Sequence, residues 1–153
     1  MGQEIERKYL VEGDEWRSLA VGQLYRQGYL PTEECTVRVR VIGKKGFLTI
    51  KGPSTGISRS EFEYEIPTQD ALDMMDSLCV GPLIEKMRYR IERNGLIWEV
   101  DEFMGENEGL IMAEVELEEE DQVIDLPDWI GEEVSGDPRY FNSSLAKFPF
   151  THW

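Results

Sequence analysis

The chain predicts an α+β fold that is mostly antiparallel β, on three observations. Short runs rich in Val, Ile, Tyr and Trp recur along most of the 153 residues, with Gly, Pro and Asn between them. Within the runs, charged and apolar residues alternate, which is the period of a strand. Helical periodicity is confined to a few short stretches. The length suits one domain with a sizeable core, so residues 1–153 are read as a single domain.

The first strand is predicted over Glu4–Val11, with Glu4, Glu6 and Lys8 on one face and Ile5, Arg7 and Tyr9 on the other. A short helix follows at Glu15–Ala20. Strands come next at Leu24–Leu30, Cys35–Val41 and Gly46–Lys51, the last two joined by a hairpin at Gly43-Lys44-Lys45-Gly46. Arg38 and Arg40 alternate with Val37, Val39 and Val41, and Thr49 and Lys51 alternate with Leu48 and Ile50. Gly52–Gly56 reads as a loop. The strand Arg59–Ile66 sets Glu61, Glu63 and Glu65 against Phe62, Tyr64 and Ile66. Asp70–Leu78 places Leu72, Met75 and Leu78 on one helical stripe, with Thr68 to cap it and Gly81-Pro82 to end it. Asn94-Gly95 joins strands Glu85–Glu92 and Leu96–Glu102. Lys86, Arg88 and Arg90 alternate there with Met87, Tyr89 and Ile91, and Glu99 and Asp101 with Trp98 and Val100. Past a longer turn at Gly105–Gly109, Met112–Glu118 sets Glu114 and Glu116 against Ala113, Val115 and Leu117. Asp137-Pro138 looks like an N-cap with Pro at N1, opening a helix through about Ala146.

The balance of 16 basic to 31 acidic residues, net charge -15, disfavours nucleic acid or an anionic membrane as partner and suits a protein that holds divalent cations. The basic residues nevertheless cluster in the strands up to Arg93. Cys35 and Cys79 make no disulfide framework, and no apolar segment marks a signal or a membrane span, so a cytoplasmic location is expected. The single His152 stands at the C-terminus, away from any cluster. Two arrangements satisfy the alternation. An open sheet would pack its apolar face on helices and leave the charges in water. A closed barrel would line its interior with them, which costs desolvation unless the charges pair or bind ions. The second suits a highly charged ligand such as a polyphosphate with a divalent metal: Arg and Lys meet phosphate oxygens, and carboxylates meet the metal.

The ordered segments EIERK (4–8), GYL (28–30), RVR (38–40), TIKG (49–52), SRSEFE (58–63), EKMRYR (85–90), WEVDEF (98–103) and AEVEL (113–117) resemble the CYTH superfamily, the triphosphate tunnel metalloenzymes. The likeness runs from Glu4 to the RYFN segment, Arg139–Asn142. It implies an eight-stranded closed β-tunnel with a few peripheral helices and a C-terminal plug helix. It also implies a small-molecule triphosphate substrate hydrolysed with a divalent cation, Mg²⁺ or Mn²⁺, two ions being expected.

By the same resemblance Glu4, Glu6, Glu114 and Glu116 hold metal, and Lys8, Arg38, Arg40, Lys51, Lys86 and Arg88 hold phosphate. Arg59, Glu61, Glu63 and Asp101 match tunnel positions, where pairing within the lumen or contact with metal-bound water is expected. Arg59 is grouped with the phosphate residues, and Glu61 and Asp101 with the metal. Glu63, Lys86, Glu114 and Glu116 are the catalytic candidates, with the general base open among the three glutamates. Lys147 is expected to approach from the plug. Parity puts Tyr64 and Trp98 on the apolar face, away from any ligand, and leaves Tyr29 open. The pattern is closest to short bacterial inorganic triphosphatases, cleaving tripolyphosphate to pyrophosphate and phosphate as a monomer or homodimer. Thiamine triphosphatase, nucleoside triphosphatase and class IV adenylate cyclase belong to the same superfamily and remain alternatives, as does a non-catalytic polyphosphate-binding module.

Overall fold

The computed structural model describes residues 2–153. Among the described residues the strands are β1 (Glu4–Val11), β2 (Gln23–Tyr29), β3 (Thr36–Ile42), β4 (Lys45–Lys51), β5 (Ser58–Arg59), β6 (Glu61–Ile66), β7 (Ile84–Arg93), β8 (Leu96–Phe103), β9 (Ile111–Glu116) and β10 (Ile130–Glu133). The helices are α1 (Thr68–Ser77) and α2 (Asn142–Lys147), joined by short 3₁₀ turns. The pairing is antiparallel, in the order β10-β1-β9-β8-β7-β2-β3-β4-β6.

The two ends of that path meet. β5 and β6 are one stretch of chain interrupted at Ser60; β6 pairs β4, and β5 pairs β1 through Glu4↔Arg59 and Ile5↔Ser58. Glu6 N–H to the Ile57 carbonyl and Glu61 N–H to the Gly2 carbonyl, both 3.2 Å, add to the seam. With β5 and β6 counted as one strand, eight strands ring the interior, so the closed arrangement holds and the open sheet does not. The break at Ser60, inside the predicted strand Arg59–Ile66, is where this stretch passes from one neighbour to the other. β10 was not foreseen. It takes the edge of β1 that β5 leaves uncovered, with Tyr9↔Glu133 and Val11↔Ile130.

Closure turns the apolar face outward, where it needs cover. Tyr9, Ile91, Trp98, Val100, Ala113 and Val115 lie under Trp16, Leu117 and Trp129, and this is the largest buried cluster. Trp98 packs edge-on to Trp129 and tilted to Tyr9. On the opposite wall α1 lays Ala71 and Met75 over Val39 and Val41. Gly46, predicted as the junction of the hairpin and a strand, belongs to β4. A Cβ there would lie 2.8 Å from Ala71 Cβ, so the bare backbone lets α1 approach. The hairpin loop shortens accordingly to Gly43-Lys44. Asn94 and Gly95 both take positive φ, as a two-residue hairpin requires.

At one end the inward positions become apolar. Ile84, Phe103 and Met112 pack with Tyr29 against Leu145 and Ala146 of α2. This is the expected plug, shorter than predicted. Asp137 does cap, accepting from Arg139 N–H, but Pro138–Tyr140 forms only a 3₁₀ turn before α2 begins at Asn142.

Trp98→Ala should cost about 3–5 kcal/mol of stability, since it opens the outer core where Tyr9 and Trp129 converge. Phe62→Ala, on the uncovered outer face of β6, should stay within about 0.5 kcal/mol of wild type. Urea denaturation of both variants checks the pair; a small loss at Trp98 would contradict the outward-facing core.

Candidate active site

The inward side chains enclose a cavity of about 340 Å³. It is lined by Glu4, Glu6, Lys8, Arg38, Arg40, Lys51, Arg59, Glu61, Glu63, Lys86, Arg88, Glu114 and Glu116. Every sequence-predicted site residue except Asp101 therefore faces one space. β1, β3, β4, β5, β6, β7 and β9 bring them there by parity, each contributing alternate positions to the same face.

The interior divides electrostatically. On one side carboxylates predominate, held apart by two lysines. Lys51 Nζ lies 3.1 Å from Glu4 and 3.4 Å from Glu61. Lys8 Nζ lies 3.4 Å from Glu6 and 3.2 Å from Glu114. Burial and the neighbouring Glu114 push Glu6 up to about 8 despite Lys8. Burial also raises Glu4, against the pull of Lys51. Burial, with Glu4 and Glu99, raises Glu116. Burial works the same way on Glu114, but Lys8, Arg88 and Lys86 outweigh it and hold that carboxyl well below the usual range. This side therefore carries more carboxylate than its lysines can balance.

The other side is cationic. Arg88 makes a two-pronged bond to Asp101, Nε and NH2 each at 2.7 Å, and Lys86 Nζ reaches the same carboxylate at 2.8 Å. Arg38 donates to Thr49 Oγ1 at 3.1 Å and Glu63 at 3.3 Å, and its Nε is buried without a partner. Arg40 donates to Gln27 Oε1 at 2.9 Å and, among the described residues, has no carboxylate at ion-pair distance. Burial, Arg38 and Arg88 together pull Arg40 down to about 9. The Tyr25 ring lies between Arg40 and Arg88, 5.0 and 4.9 Å from their guanidinium carbons. Burial and Arg88 likewise pull the Lys86 ammonium down, to about 7, with Asp101 opposing.

Several residues differ from expectation. Asp101, grouped with the metal carboxylates, has both oxygens committed to Arg88 and Lys86 and does not line the cavity, so it serves the cations instead. Glu63 is tied to Arg38 and to Thr49 Oγ1 at 2.7 Å, with its side chain 42% exposed. Arg59 donates to the Gly52 carbonyl and to Thr36 from the cavity rim. Lys147 is exposed and outside the lining, because the plug presents its first residue, Asn142, rather than its last. Trp98 and Tyr64 lie outside the tunnel as parity requires, Trp98 buried and Tyr64 exposed.

Tyr25, Gln27 and Asn142 were missed. β2 alternates Gln23, Tyr25, Gln27 and Tyr29 with Leu24, Arg26 and Gly28. The parity signal was present, but on uncharged residues that a search for charge passes over.

The acidic side suits a hard divalent cation in its donor chemistry: Glu4, Glu6, Glu114 and Glu116 offer only oxygen, and three of them hold their protons more tightly than usual, so positive charge is wanted there. Among the described residues no three acidic side chains converge into a ready-made cage. Lys8 and Lys51 stand between them, and an ion would displace those ammonium groups toward an anion.

The CYTH domain pattern matches residues 2–147. The chain is 56% identical over 154 residues to an inorganic triphosphatase of Acetivibrio thermocellus, covering 100% of this chain and 99% of that protein. It is 38% identical over 152 residues to an inorganic triphosphatase of Nitrosomonas europaea, covering 94% and 96%. The crystal structure of an inorganic triphosphatase superposes with a TM-score of 0.68 at 34% identity, over 93% of this chain and 96% of that one.

Asp101→Asn leaves Arg88 and Lys86 buried with too little negative charge, so it should lose about 3–5 kcal/mol in a denaturant melt. A loss under about 1 kcal/mol would show that the three-way pair is not what retains the cations. Glu6 supplies a pH test. Its carboxyl is raised from an ordinary 4.5 to about 8, so the stability it permits is full below the lower value and lost as pH rises through the upper one. Glu6→Gln lacks this penalty. With chelator present, its stability advantage over wild type should grow between about pH 5 and pH 8, reaching about 1–3 kcal/mol. A gap that does not change with pH would remove Glu6 from the repulsive cluster.

Proposed function

The chain belongs to the CYTH family, and on that premise we propose that it is an inorganic triphosphatase that cleaves tripolyphosphate to pyrophosphate and phosphate. The observation that carries this reading is the two-sided lumen. A buried arginine pair with incomplete neutralisation faces a carboxylate group with surplus negative charge, across a cavity of about 340 Å³. A polyanion carrying divalent cations is the ligand that satisfies both sides at once.

Arg38, Arg40, Lys86 and Arg88 would take the phosphates that leave as pyrophosphate, offsetting the charge that develops as the terminal P–O bond breaks. Lys8 and Lys51, set among the carboxylates, and Arg59 at the rim would hold the terminal phosphoryl group. Glu4, Glu6, Glu114 and Glu116, with Glu61 at the rim, would hold Mg²⁺ or Mn²⁺. When bound, such a cation supplies positive charge against phosphoryl oxygens and promotes ionisation of water. Water attacks the terminal phosphorus, the bond to pyrophosphate oxygen breaks, and a carboxylate takes the proton. Glu114 is held too acidic for that task, and Glu63 is tied to Arg38 and Thr49. Glu116 keeps both basicity and access, and is the base we favour.

The charged lining also bears on specificity. The Tyr25 face is occupied by two guanidinium groups, which leaves it unavailable to stack a nucleobase or thiazolium. The cytosol is the expected compartment: both cysteines are free, and among the described residues no helix is long and apolar enough to cross a membrane.

Phosphate release from tripolyphosphate, ATP and thiamine triphosphate, each with Mg²⁺, with Mn²⁺ and with chelator, tests the proposal. Tripolyphosphate should give the highest kcat/KM, and activity should vanish with chelator. Arg40→Ala should lower kcat/KM for tripolyphosphate by about 10- to 100-fold, one charge-assisted bond to phosphate, with its metal requirement unchanged. Glu114→Ala should remove most metal-dependent turnover. A higher value for either organic triphosphate, or cyclic AMP as the main product from ATP, would overturn the substrate assignment.

A further inference from the structure

Lys86 is buried with its side chain 1% exposed, and two protein acceptors fix its ammonium: Asp101 at 2.8 Å and the Asn142 amide oxygen at 2.9 Å. The two acceptors differ in kind. Asp101 is a carboxylate already engaged by Arg88 through both oxygens. Asn142 is neutral. It comes from α2, which caps one end of the tunnel, and with Ser143 it is where the plug lines the charged interior.

The orientation of that amide follows from its neighbours. Arg40 can only donate, so Gln27 must turn Oε1 toward Arg40 Nε, 2.9 Å away. Gln27 Nε2 then faces the Tyr29 hydroxyl at 2.7 Å and Asn142 at 3.3 Å. Asn142 must therefore present oxygen to Gln27, and the same oxygen accepts from Lys86, which also can only donate. Gln27 is fully buried, so its bonds to Arg40 and Tyr29 are shielded from bulk water, while Asn142 is half-buried at the cavity wall. Donation runs from Arg40 to Gln27 to Asn142 and from Lys86 to Asn142, so both ends of the chain converge on the Asn142 amide oxygen, with no added negative charge.

We propose that Asn142 is a positioning residue for Lys86, holding the ammonium in the lumen by a neutral hydrogen bond that leaves its charge available to phosphate. This rests on the triphosphatase reading above. The physical point is the sign of the acceptor. Lys86 has one carboxylate at ion-pair distance, Asp101, and shares it with Arg88, which also meets Glu99 at 3.4 Å and Glu114 at 3.7 Å, so the positive charge left over on this wall is small and resides on Lys86. A second carboxylate at position 142 would hold Lys86 at least as firmly but would cancel the surplus that draws the substrate. An aliphatic residue would keep the surplus but let the ammonium swing. The residue that does both jobs is a short, neutral acceptor, which also ties closure of the tunnel end to the readiness of the site: α2 has to be docked for Lys86 to be in place.

The test uses Asn142→Ala and Asn142→Asp in the full chain, with kinetics on tripolyphosphate and the NMR signal of the Lys86 ammonium in ligand-free protein. In Asn142→Ala that signal should broaden or shift, and kcat/KM should fall about 10- to 100-fold, chiefly in kcat. In Asn142→Asp the signal should stay sharp and thermal stability should match or exceed wild type, yet kcat/KM should remain depressed, chiefly through KM. Wild-type turnover in Asn142→Asp would reduce the contact to a structural one and overturn the proposal. So would an unchanged Lys86 signal in Asn142→Ala. If Asn142→Ala does not fold, Asn142→Asp and Asn142→Ser carry the same comparison. If wild-type protein releases no phosphate from tripolyphosphate, the triphosphatase reading fails by itself, and the positioning role is decided by the ammonium signal and by tripolyphosphate affinity in wild type and Asn142→Asp.

Discussion

Asp101 is the residue on which the interior depends. It is 1% exposed and receives Arg88 through two bonds of 2.7 Å and Lys86 through one contact of 2.8 Å. Without it, two cations would be buried beside Arg40, which has only an amide for support. Arg88 stands directly across from Asp101 on neighbouring strands, so the pair also locks the β7–β8 register. Burial would raise the Asp101 carboxyl, but Arg88 and Lys86 overcome that and keep it ionised. Arg88 also meets Glu99 at 3.4 Å and Glu114 at 3.7 Å, so the cations least compensated on this wall are Lys86, which shares Asp101, and Arg40, and they are the ones a polyphosphate would engage.

The same economy shapes the rest of the barrel. A tunnel lined with charge must place its apolar residues outside, so this fold has no central hydrophobic core. Stability comes from covers: α1 over β3 and β4, the Trp16 turn and the Leu117–Trp129 segment over β1, β7, β8 and β9. α2 closes one end where Ile84, Phe103 and Met112 replace charged residues at inward positions. β6 lacks such a cover, and Phe62 and Tyr64 stay exposed. The lumen itself is made affordable by pairing. Among the described residues most charged side chains there have an opposite number within 4 Å, and the exceptions are Arg40, Arg59 and Glu116.

Much of this was legible along the chain, and the reason is local. A strand's side chains alternate whatever surrounds it, so Glu4/Glu6/Lys8, Arg38/Arg40, Lys86/Arg88 and Glu114/Glu116 were bound to share faces once the strands were placed. The Asn94-Gly95 hairpin and the Asp137 cap follow from backbone preferences of the same local kind. The errors have the complementary origin. β10 was not foreseen because its place, the edge of β1 that β5 leaves uncovered, exists only after closure. That Asp101 would pair with Arg88 and Lys86 together, rather than meet metal, was not readable, because parity shows which way a carboxylate points but not what waits for it. Tyr25, Gln27 and Asn142 carry no charge and so left no trace in a pattern read through charge.

The sequence by itself determined the strands, the faces they present and the charge each face carries, because alternation, turn chemistry and helix capping act within a few residues. Only the tertiary structure decided which face is inside. That choice rests on a bent stretch, Ser58 to Ile66, meeting β4 on one side and β1 on the other, so that the ring closes. Closure and strand stagger then decided the partners: Lys51 with Glu4, Lys8 with Glu114, Lys86 with both Asp101 and Asn142. Electrostatic pairing depends on distance and burial, and both exist only once strands and the plug helix, separate along the chain, have been brought to within about 3 Å.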